Sequence, residues 1–172
     1  MNENPTPILP GFNSVVKPFR FPAAPHEYKV ISVRECPTPQ DLALCDNPDK
    51  AAEYWRLHVE GNPFFNPECE CFVVLILNTR RRVKGHHLVS MGTLDTILVH
   101  AREVFRLAIA TSAAAIVVMH NHPSGDPTPS EADIRVTRDL IRAGQLLKIE
   151  LLDHVIIGKP NHSSLRELGY FL

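Results

Sequence analysis

The chain has 172 residues, and its 18 basic and 19 acidic side chains leave a formal net charge of −1. This length suits one compact domain with a tail. So small a net charge argues against binding of nucleic acid over a broad basic surface. With 44% hydrophobic and 22% charged residues, the composition is that of a globular protein and excludes wholesale disorder. The 15 prolines and 9 histidines predict many turns or an extended tail and allow a metal site.

The first 27 residues hold six of the prolines. Because each proline restricts its own φ and biases the preceding residue towards extended geometry, we predict an extended arm over residues 1–27 and one domain over 28–172. The N-terminus has neither a basic start nor an apolar segment, and the apolar run at 113–119 is far shorter than the roughly 20 residues of a membrane span. The four cysteines form no CxxC pair. We therefore expect a cytoplasmic protein that does not associate with membranes.

The first part of the predicted domain contains a helix and a β-hairpin after an opening strand. In chain order we predict a strand at 28–35, a helix at 50–61 introduced by residues 46–48, a buried strand at 71–78, a basic turn at 79–84 and a returning strand at 86–92. Asp46 or Asn47 is suited to cap the helix, and Gly61 to end it. The near-continuous apolar run at 71–78 is typical of a central strand.

The second part alternates helices with buried strands. We predict a helix at 99–111, a strand at 115–119, a loop at 121–129, a helix at 131–147, a strand at 149–158 and a short helix at 164–170. Ser130 opens the second helix, whose apolar stripe comprises Ile134, Leu140, Ile141 and Leu147. Alternation of this kind around a hairpin predicts an α/β fold with a mixed β-sheet flanked by helices, in two or three layers.

Residues 120–133 carry the most informative chemistry. His120 and His122 follow a predicted strand, and side chains two apart on a strand share one face, so their ring nitrogens can converge on one ion. Asp133 can supply a carboxylate if the loop folds the helix start back over the strand end. Two histidines and a carboxylate form the ligand set of catalytic zinc sites and also of non-haem iron sites. Ser130 and Asp133 equally match the start of a capped helix, so both interpretations stand.

The full string H-x-H-x₇-S-x-x-D, formed by His120, His122, Ser130 and Asp133, resembles the JAMM (MPN+/JAB) metalloprotease motif. The surrounding words HNHPSGDPTPSEAD, GTLDTILVHAREVFRLAI and LLDHVIIG are similar, more narrowly, to the bacterial RadC family, over roughly residues 70–172. The resemblance implies a mixed sheet of cytidine-deaminase-like architecture. It also implies a Zn²⁺ ion held by His120, His122 and Asp133.

The same resemblance implies a zinc metallopeptidase that cleaves a peptide, isopeptide or related amide bond of a peptide or protein substrate through a metal-activated water. Glu70, ahead of the hydrophobic strand, would be the general base, with Glu68 as its competitor. Ser130 would donate a hydrogen bond to the developing oxyanion. Asp153 and His154 match a further family word, and are either a buried pair that organises the sheet or support for the metal ligands.

Two other functions compete with hydrolysis. One is a DNA repair or recombination accessory role of RadC type, and the other is a metal-bound scaffold without hydrolytic activity. The helix-hairpin-helix region usual in the family is not recognisable in residues 1–60, which weakens the first. The basic run of Arg80, Arg81, Arg82 and Lys84 suits a solvated turn as well as a local phosphate contact.

Overall fold

A computed structural model describes residues 42–63, 65–92 and 99–171. The predicted arm at 1–27 and the predicted strand at 28–35 lie outside these residues, and the division of the chain at residue 28 stays a prediction. Within the described ranges, none of the helices combines the length and the apolar character needed to cross a membrane.

Among the residues that the structure describes, five strands form one mixed sheet. They are β1 at Cys71–Leu77, β2 at Val83–Met91, β3 at Ala115–Asn121, β4 at Glu150–Ile157 and β5 at His162–Ser164. Their order across the sheet is β2-β1-β3-β4-β5. β3 and β4 run parallel, and the other neighbouring strands pair antiparallel. The predicted hairpin of β1 with β2 and the predicted mixed sheet are therefore confirmed.

In the described part of the chain, three α-helices flank the sheet, α1 at Pro48–Tyr54, α2 at Ala101–Ala110 and α3 at Glu131–Leu147. Asn47 caps α1 as predicted, because its side-chain oxygen accepts a hydrogen bond from the Lys50 N–H at 2.9 Å. The single helix predicted up to residue 61 instead becomes π-helical at Trp55–Val59. The buried Trp55 indole donates to the carboxylate of Glu60 at 3.1 Å, which satisfies the polar edge of the ring.

The helices lie on both faces of the sheet, so the fold has three layers. Because side chains alternate along a strand, neighbouring residues of β1 enter different cores. Val73 packs in the core that contains Trp55, whereas Phe72 packs in the core that contains Phe105 of α2. All 7 residues of β1 are buried, which explains the near-continuous apolar run in its sequence.

The short helix predicted at 164–170 is wrong. Ser164 ends β5, and the chain then makes a series of turns. Only one helical turn forms, with the Leu168 N–H donating to the Ser164 carbonyl at 3.0 Å. Gly169 follows at φ 85°, a left-handed conformation that reverses the chain and that glycine adopts without strain.

The apolar stripe predicted for α3 is correct in its first half. Ile134 and Leu140 are buried, but Leu147 is 41% exposed, because α3 ends there and turns into the left-handed Lys148. Gly144 occupies the buried position in the last turns. A Cβ atom there would lie 2.5 Å from the carbonyl oxygen of Ile149, so close packing of α3 on the chain entering β4 requires a glycine.

β3 continues two residues beyond its predicted end at Met119. The extension forms because the strand pairs on both sides, with His120 opposite Phe72 of β1 and Ile156 of β4. His120 is therefore part of the sheet, and His122 follows directly after the strand. This register places both histidines at the carboxyl ends of the parallel strands β3 and β4.

Candidate metal centre

The three predicted ligands meet where the end of β3 faces the start of α3. The Nε2 atoms of His120 and His122 lie 3.0 Å apart. Asp133 Oδ1 lies 3.2 Å from His120 Nε2, and Asp133 Oδ2 lies 3.7 Å from His122 Nε2. His120 is 2% exposed, and the side chains of His122 and Asp133 are 14% and 17% exposed. The site is thus closed on the protein side and open towards solvent past His122 and Asp133.

These separations fit a single cation. Zinc binds nitrogen and oxygen ligands at about 2.0–2.1 Å, and a tetrahedron of that size places neighbouring ligand atoms about 3.3 Å apart. The Nε2–Nε2 distance of 3.0 Å and the distance of 3.2 Å from His120 Nε2 to Asp133 Oδ1 lie close to that value, and the three ligand atoms all lie within 4.8 Å of one another. The group His120, His122 and Asp133 could therefore hold a metal ion.

Hydrogen bonds orient the ring of His122 so that its lone pair faces this space. The Nδ1 atom of His122 lies 2.7 Å from the backbone carbonyl oxygen of Asp126. A carbonyl oxygen only accepts, so Nδ1 carries the proton, and Nε2 of the neutral ring carries none. The side chain of Asp126 has a separate role, because its carboxylate accepts from the N–H and the hydroxyl of Thr128 within the loop.

The electrostatics of the group favour a positive charge between the three side chains. Burial by itself would raise the pKa of Asp133, but the adjoining rings of His120 and His122 and the hydrogen bond from Ser130 hold that pKa well below its usual range. The adjoining Asp133 carboxylate in turn raises the pKa of His122. A cation or a proton is needed here, because two imidazole nitrogens and a carboxylate would otherwise place their lone pairs against one another.

Comparison with known proteins assigns this arrangement to a family. A family model described as a RadC-like JAB domain matches residues 45–170, which include all three candidate ligands. The chain belongs to the RadC-like JAB domain family. The resemblance deduced from the motif and its flanking words is thereby confirmed, as is the α/β fold that it implied.

Curated relatives of this RadC-like domain match somewhat more than half of the chain. The chain is 50% identical over 102 residues to a UPF0758 protein of Caldanaerobacter subterraneus subsp. tengcongensis, an alignment that covers 59% of this chain and 44% of that protein. It is 52% identical over 102 residues to a UPF0758 protein of Listeria welshimeri, covering 59% of this chain and 46% of the relative. The chain thus spans under half the length of the curated relatives it matches.

A chain of buried hydrogen bonds through Thr137 and His154 determines which nitrogen of His120 carries the proton. The hydroxyl of Thr137 lies 2.6 Å from the carbonyl oxygen of Asp133 and 2.6 Å from His154 Nδ1. The carbonyl can only accept, so the hydroxyl donates to it and accepts from His154 Nδ1–H. Burial lowers the pKa of His154, and the neutral ring then accepts at Nε2 from His120 Nδ1–H at 2.9 Å. His120 Nε2 is left without a proton, as a metal ligand must be.

We expect Thr137→Val to weaken metal binding about 10–100-fold, the usual cost of removing an outer partner of a ligand. Valine has a similar shape but leaves the His154 N–H and the Asp133 carbonyl without their buried partner, which should also destabilise the fold by about 1–3 kcal/mol. Competition with a chromophoric chelator measures the affinity, and thermal unfolding the stability. Thr137→Ser keeps the hydroxyl and should retain both; equal affinity in the Val and Ser variants would contradict this role of the hydrogen bonds.

Asp153 and His154 have different partners although they are adjacent in sequence. His154 lies on the face of the sheet that carries His120, whereas Asp153 lies on the opposite face. The Asp153 carboxylate accepts from the Ser164 hydroxyl at 2.6 Å and from the backbone N–H groups of His154 and Arg166. Asp153 thus organises the junction of β4 and β5, and of the predicted pair His154 alone contacts a candidate ligand.

Helix capping and metal ligation by Asp133 are compatible, because they use different oxygens. Asp133 Oδ2 accepts from the backbone N–H of Ser130 at 2.7 Å and from its hydroxyl at 2.6 Å, and the Ser130 hydroxyl accepts from the Asp133 N–H. This is the reciprocal capping box that the sequence allowed. The other oxygen, Oδ1, faces His120. The cap therefore holds the candidate ligand in one orientation.

The two candidate bases occupy different environments. Glu70 immediately precedes β1, is half-buried, and its charge contributes to raising the pKa of His122. Two residues further on, in β1, the ring of Phe72 stacks on His120 with centroids 6.0 Å apart. Glu68 is exposed in a turn, with its backbone N–H bonded to the Asn66 side chain. Glu70 thus adjoins β1 and lies near enough to His122 for its charge to act on that ring, whereas Glu68 lies in the preceding turn.

The basic run at the hairpin makes contacts within the domain. Arg82 donates to the carbonyl oxygen of Leu42 at 2.7 Å, and the Lys84 ammonium donates to the carbonyl oxygen of Thr111. Arg80 and Arg81 are exposed in the turn. Half of the predicted run therefore has a structural role.

Sequence reasoning missed two groups that orient the ligands, Thr137 and the backbone carbonyl of Asp126. The first is an ordinary helix threonine four residues after Asp133. The second acts through its main chain, which has no signature in the residue type.

Proposed function

We propose that this domain is a zinc-dependent hydrolase that cleaves a peptide, isopeptide or related amide bond. The observation that carries the proposal is the convergence of two imidazole Nε2 atoms with one carboxylate oxygen, at the carboxyl ends of β3 and β4 and near a half-buried glutamate. Metal-assisted hydrolysis requires a bound metal ion and a nearby group that accepts the proton of the attacking water, and these residues can supply both.

His120, His122 and Asp133 would hold the metal through Nε2, Nε2 and Oδ1. When bound, Zn²⁺ polarises an amide carbonyl and lowers the pKa of water from about 16 to about 7. The hydrogen bonds to His154 and the Asp126 carbonyl keep both imidazoles in the tautomer that can ligate. The capping box keeps Asp133 Oδ1 turned towards His120.

Glu70 and Ser130 supply the proton transfer and the oxyanion contact. Glu70 takes a proton from the attacking water, whose oxygen bonds to the carbonyl carbon. It then returns a proton to the amide nitrogen as the C–N bond breaks, which balances the hydrolysis. The Ser130 hydroxyl, which donates to Asp133 Oδ2 in this structure, rotates to donate to the oxyanion that develops on the carbonyl oxygen.

The surroundings of the site suit a chain-like substrate. A groove of about 320 Å³ adjoins His122 and is lined by side chains that include Phe65, Pro67, Pro123 and Lys159. Phe65 is held in place by edge-to-face packing on the buried Trp55, with ring centroids 5.8 Å apart. Such a mixed apolar and charged groove can accommodate an extended peptide beside the cleaved bond.

The test is a hydrolysis assay on the metal-loaded chain. We expect the Zn²⁺-loaded protein to cleave members of a pool of fluorogenic peptides and isopeptide-linked conjugates, to lose this activity on chelation, and to regain it with added Zn²⁺. Parallel loading with Fe²⁺ under anaerobic conditions distinguishes the two metals that the ligand set allows. Cleavage that persists after complete metal removal would contradict the proposal.

The competing functions have their own outcomes in the same experiment. Stoichiometric metal without cleavage of any pool member favours the scaffold. Tight, sequence-independent DNA binding at physiological salt, without cleavage, favours the accessory role in repair or recombination.

A further inference from the structure

We propose that Asn121, the residue between the two ligand histidines, is a positioning residue that holds the general base at the metal site. The inference rests on the proposed function, since it takes Glu70 as that base. Asn121 is the last residue of β3 and is 7% exposed. Its side chain leaves the strand on the face opposite to His120 and His122, because neighbouring residues of a strand alternate.

Both polar atoms of the Asn121 side chain bond the backbone on either side of Glu70. Asn121 Oδ1 accepts from the Cys71 N–H at 2.9 Å. Asn121 Nδ2 donates to the carbonyl oxygen of Cys69 at 3.0 Å. The carbonyl oxygen of Glu70 itself accepts from the Gly92 N–H, beyond the end of β2, at 2.8 Å. Three hydrogen bonds thus surround the glutamate, and two of them come from one amide.

The sheet fixes this segment on one side only. On the β2 side Cys71 pairs with Met91, whereas on the β3 side the pairing of β1 begins at Phe72 opposite His120, so residues 69–71 have no backbone pairs with β3. The amide of Asn121 takes the place of the missing pairs, because it offers one acceptor and one donor group in a single plane. An aspartate could accept but not donate, and an apolar side chain could do neither.

Asn121 is also covalently joined to both ligand histidines. Because Asn121 is hydrogen-bonded to the backbone on either side of Glu70, the distance from that base to His120 and His122 stays constant when the surrounding loops move. Displacement of a catalytic group by about 1 Å can cost about 10²-fold in rate, so a contact of this kind matters for catalysis more than for substrate binding.

The experiment compares Asn121→Ala, which removes both hydrogen bonds, with Asn121→Asp, which keeps the acceptor. The matched control is Asn78→Ala at the other end of β1, where the side chain accepts from the N–H groups of Arg80 at 2.9 Å and Arg82 at 3.0 Å. In the Zn²⁺-loaded chain we expect Asn121→Ala to keep its zinc and to lose about 10²-fold in kcat with little change in KM. Asn121→Asp should lie between the parent and Asn121→Ala, and Asn78→Ala should match the parent.

Two further measurements separate positioning from a general effect on folding. If Asn121 acts through Glu70, adding Asn121→Ala to Glu70→Gln should cost no further activity.

Amide hydrogen exchange at Cys71 should be about 10-fold faster in Asn121→Ala than in the parent, with or without metal, since the Cys71 N–H has lost its acceptor, Asn121 Oδ1. Additive losses in the double variant, or an equally protected Cys71 amide in Asn121→Ala, would overturn the inference. If the parent cleaves no substrate, the proposed function fails, while exchange at Cys71 still decides whether Asn121 holds the segment.

Discussion

Replacing His122 by alanine is expected to abolish stoichiometric metal binding. The parent should purify with, or take up, about one ion per chain, whereas the variant retains only His120 and Asp133, too few protein ligands for a stable catalytic zinc site. The loss in affinity should exceed the roughly 10–100-fold cost of removing an outer partner. Elemental analysis of the protein after gel filtration measures the ratio directly.

Thermal unfolding gives a second readout of the same change. Metal that binds only the folded chain stabilises it by about 4 kcal/mol at 1,000 times its Kd, so added Zn²⁺ should raise the Tm of the parent but not that of the variant. Without metal the variant should be less stable than the parent by only about 0.5–1.5 kcal/mol, because it loses the hydrogen bond from His122 Nδ1 to the Asp126 carbonyl.

His162→Ala is the matched control for His122→Ala. The side chains of His162 and His122 are 18% and 14% exposed, and each lies within 4.0 Å of an aspartate, Asp49 and Asp133 respectively. The control should keep its metal. Stoichiometric zinc in His122→Ala would exclude this histidine as a ligand.

Glu70→Gln is expected to keep the metal and to lose hydrolysis. Glutamine has the size of glutamate but cannot accept the proton of the attacking water, and general-base catalysis contributes about 10²–10⁴-fold to a rate. We therefore expect kcat to fall by that factor while the metal content and Tm stay close to those of the parent. Steady-state kinetics and elemental analysis on the same preparation make the comparison.

Glu68→Gln is the matched control for Glu70→Gln, because it removes the same charge from a glutamate two residues away. Glu68 is exposed in the turn before Cys69, so its replacement should leave kcat unchanged. Reversed results, with an inactive Glu68→Gln and an active Glu70→Gln, would move the base to residue 68. Full activity in both variants would rule out either glutamate as the base.

The candidate ligands could be predicted from the sequence because their spacing encodes their geometry. An H-x-H pair at the end of a strand places two imidazoles on one face, and S-x-x-D at a helix start places a carboxylate at the N-terminus of the helix. The structure brings these elements together, with the three ligand atoms within 4.8 Å of one another. The long apolar runs of β1 and β3 likewise predicted buried strands, whereas the choice between two and three layers needed the structure.

Other features had no local signal. The π-helical segment at Trp55–Val59, the turns after Ser164 and the exposure of Leu147 depend on what each segment packs against. The glutamate pair could not be separated by spacing alone. Glu70 and Glu68 are two residues apart, and only the start of β1 at Cys71 and the turn around Glu68 give them different surroundings.

The sequence by itself determined the family, the α/β class and the residue types of the candidate metal site, since these follow from motif spacing and strand or helix periodicity. Only the tertiary structure decided which nitrogen of each histidine faces the other candidate ligands and how the backbone on either side of Glu70 is hydrogen-bonded. Those properties depend on hydrogen bonds between residues far apart in the chain, His120 with His154 and Asn121 with the backbone beside Glu70. Such partners become neighbours only when β1, β3, β4 and α3 pack together, so no pattern within one segment records them.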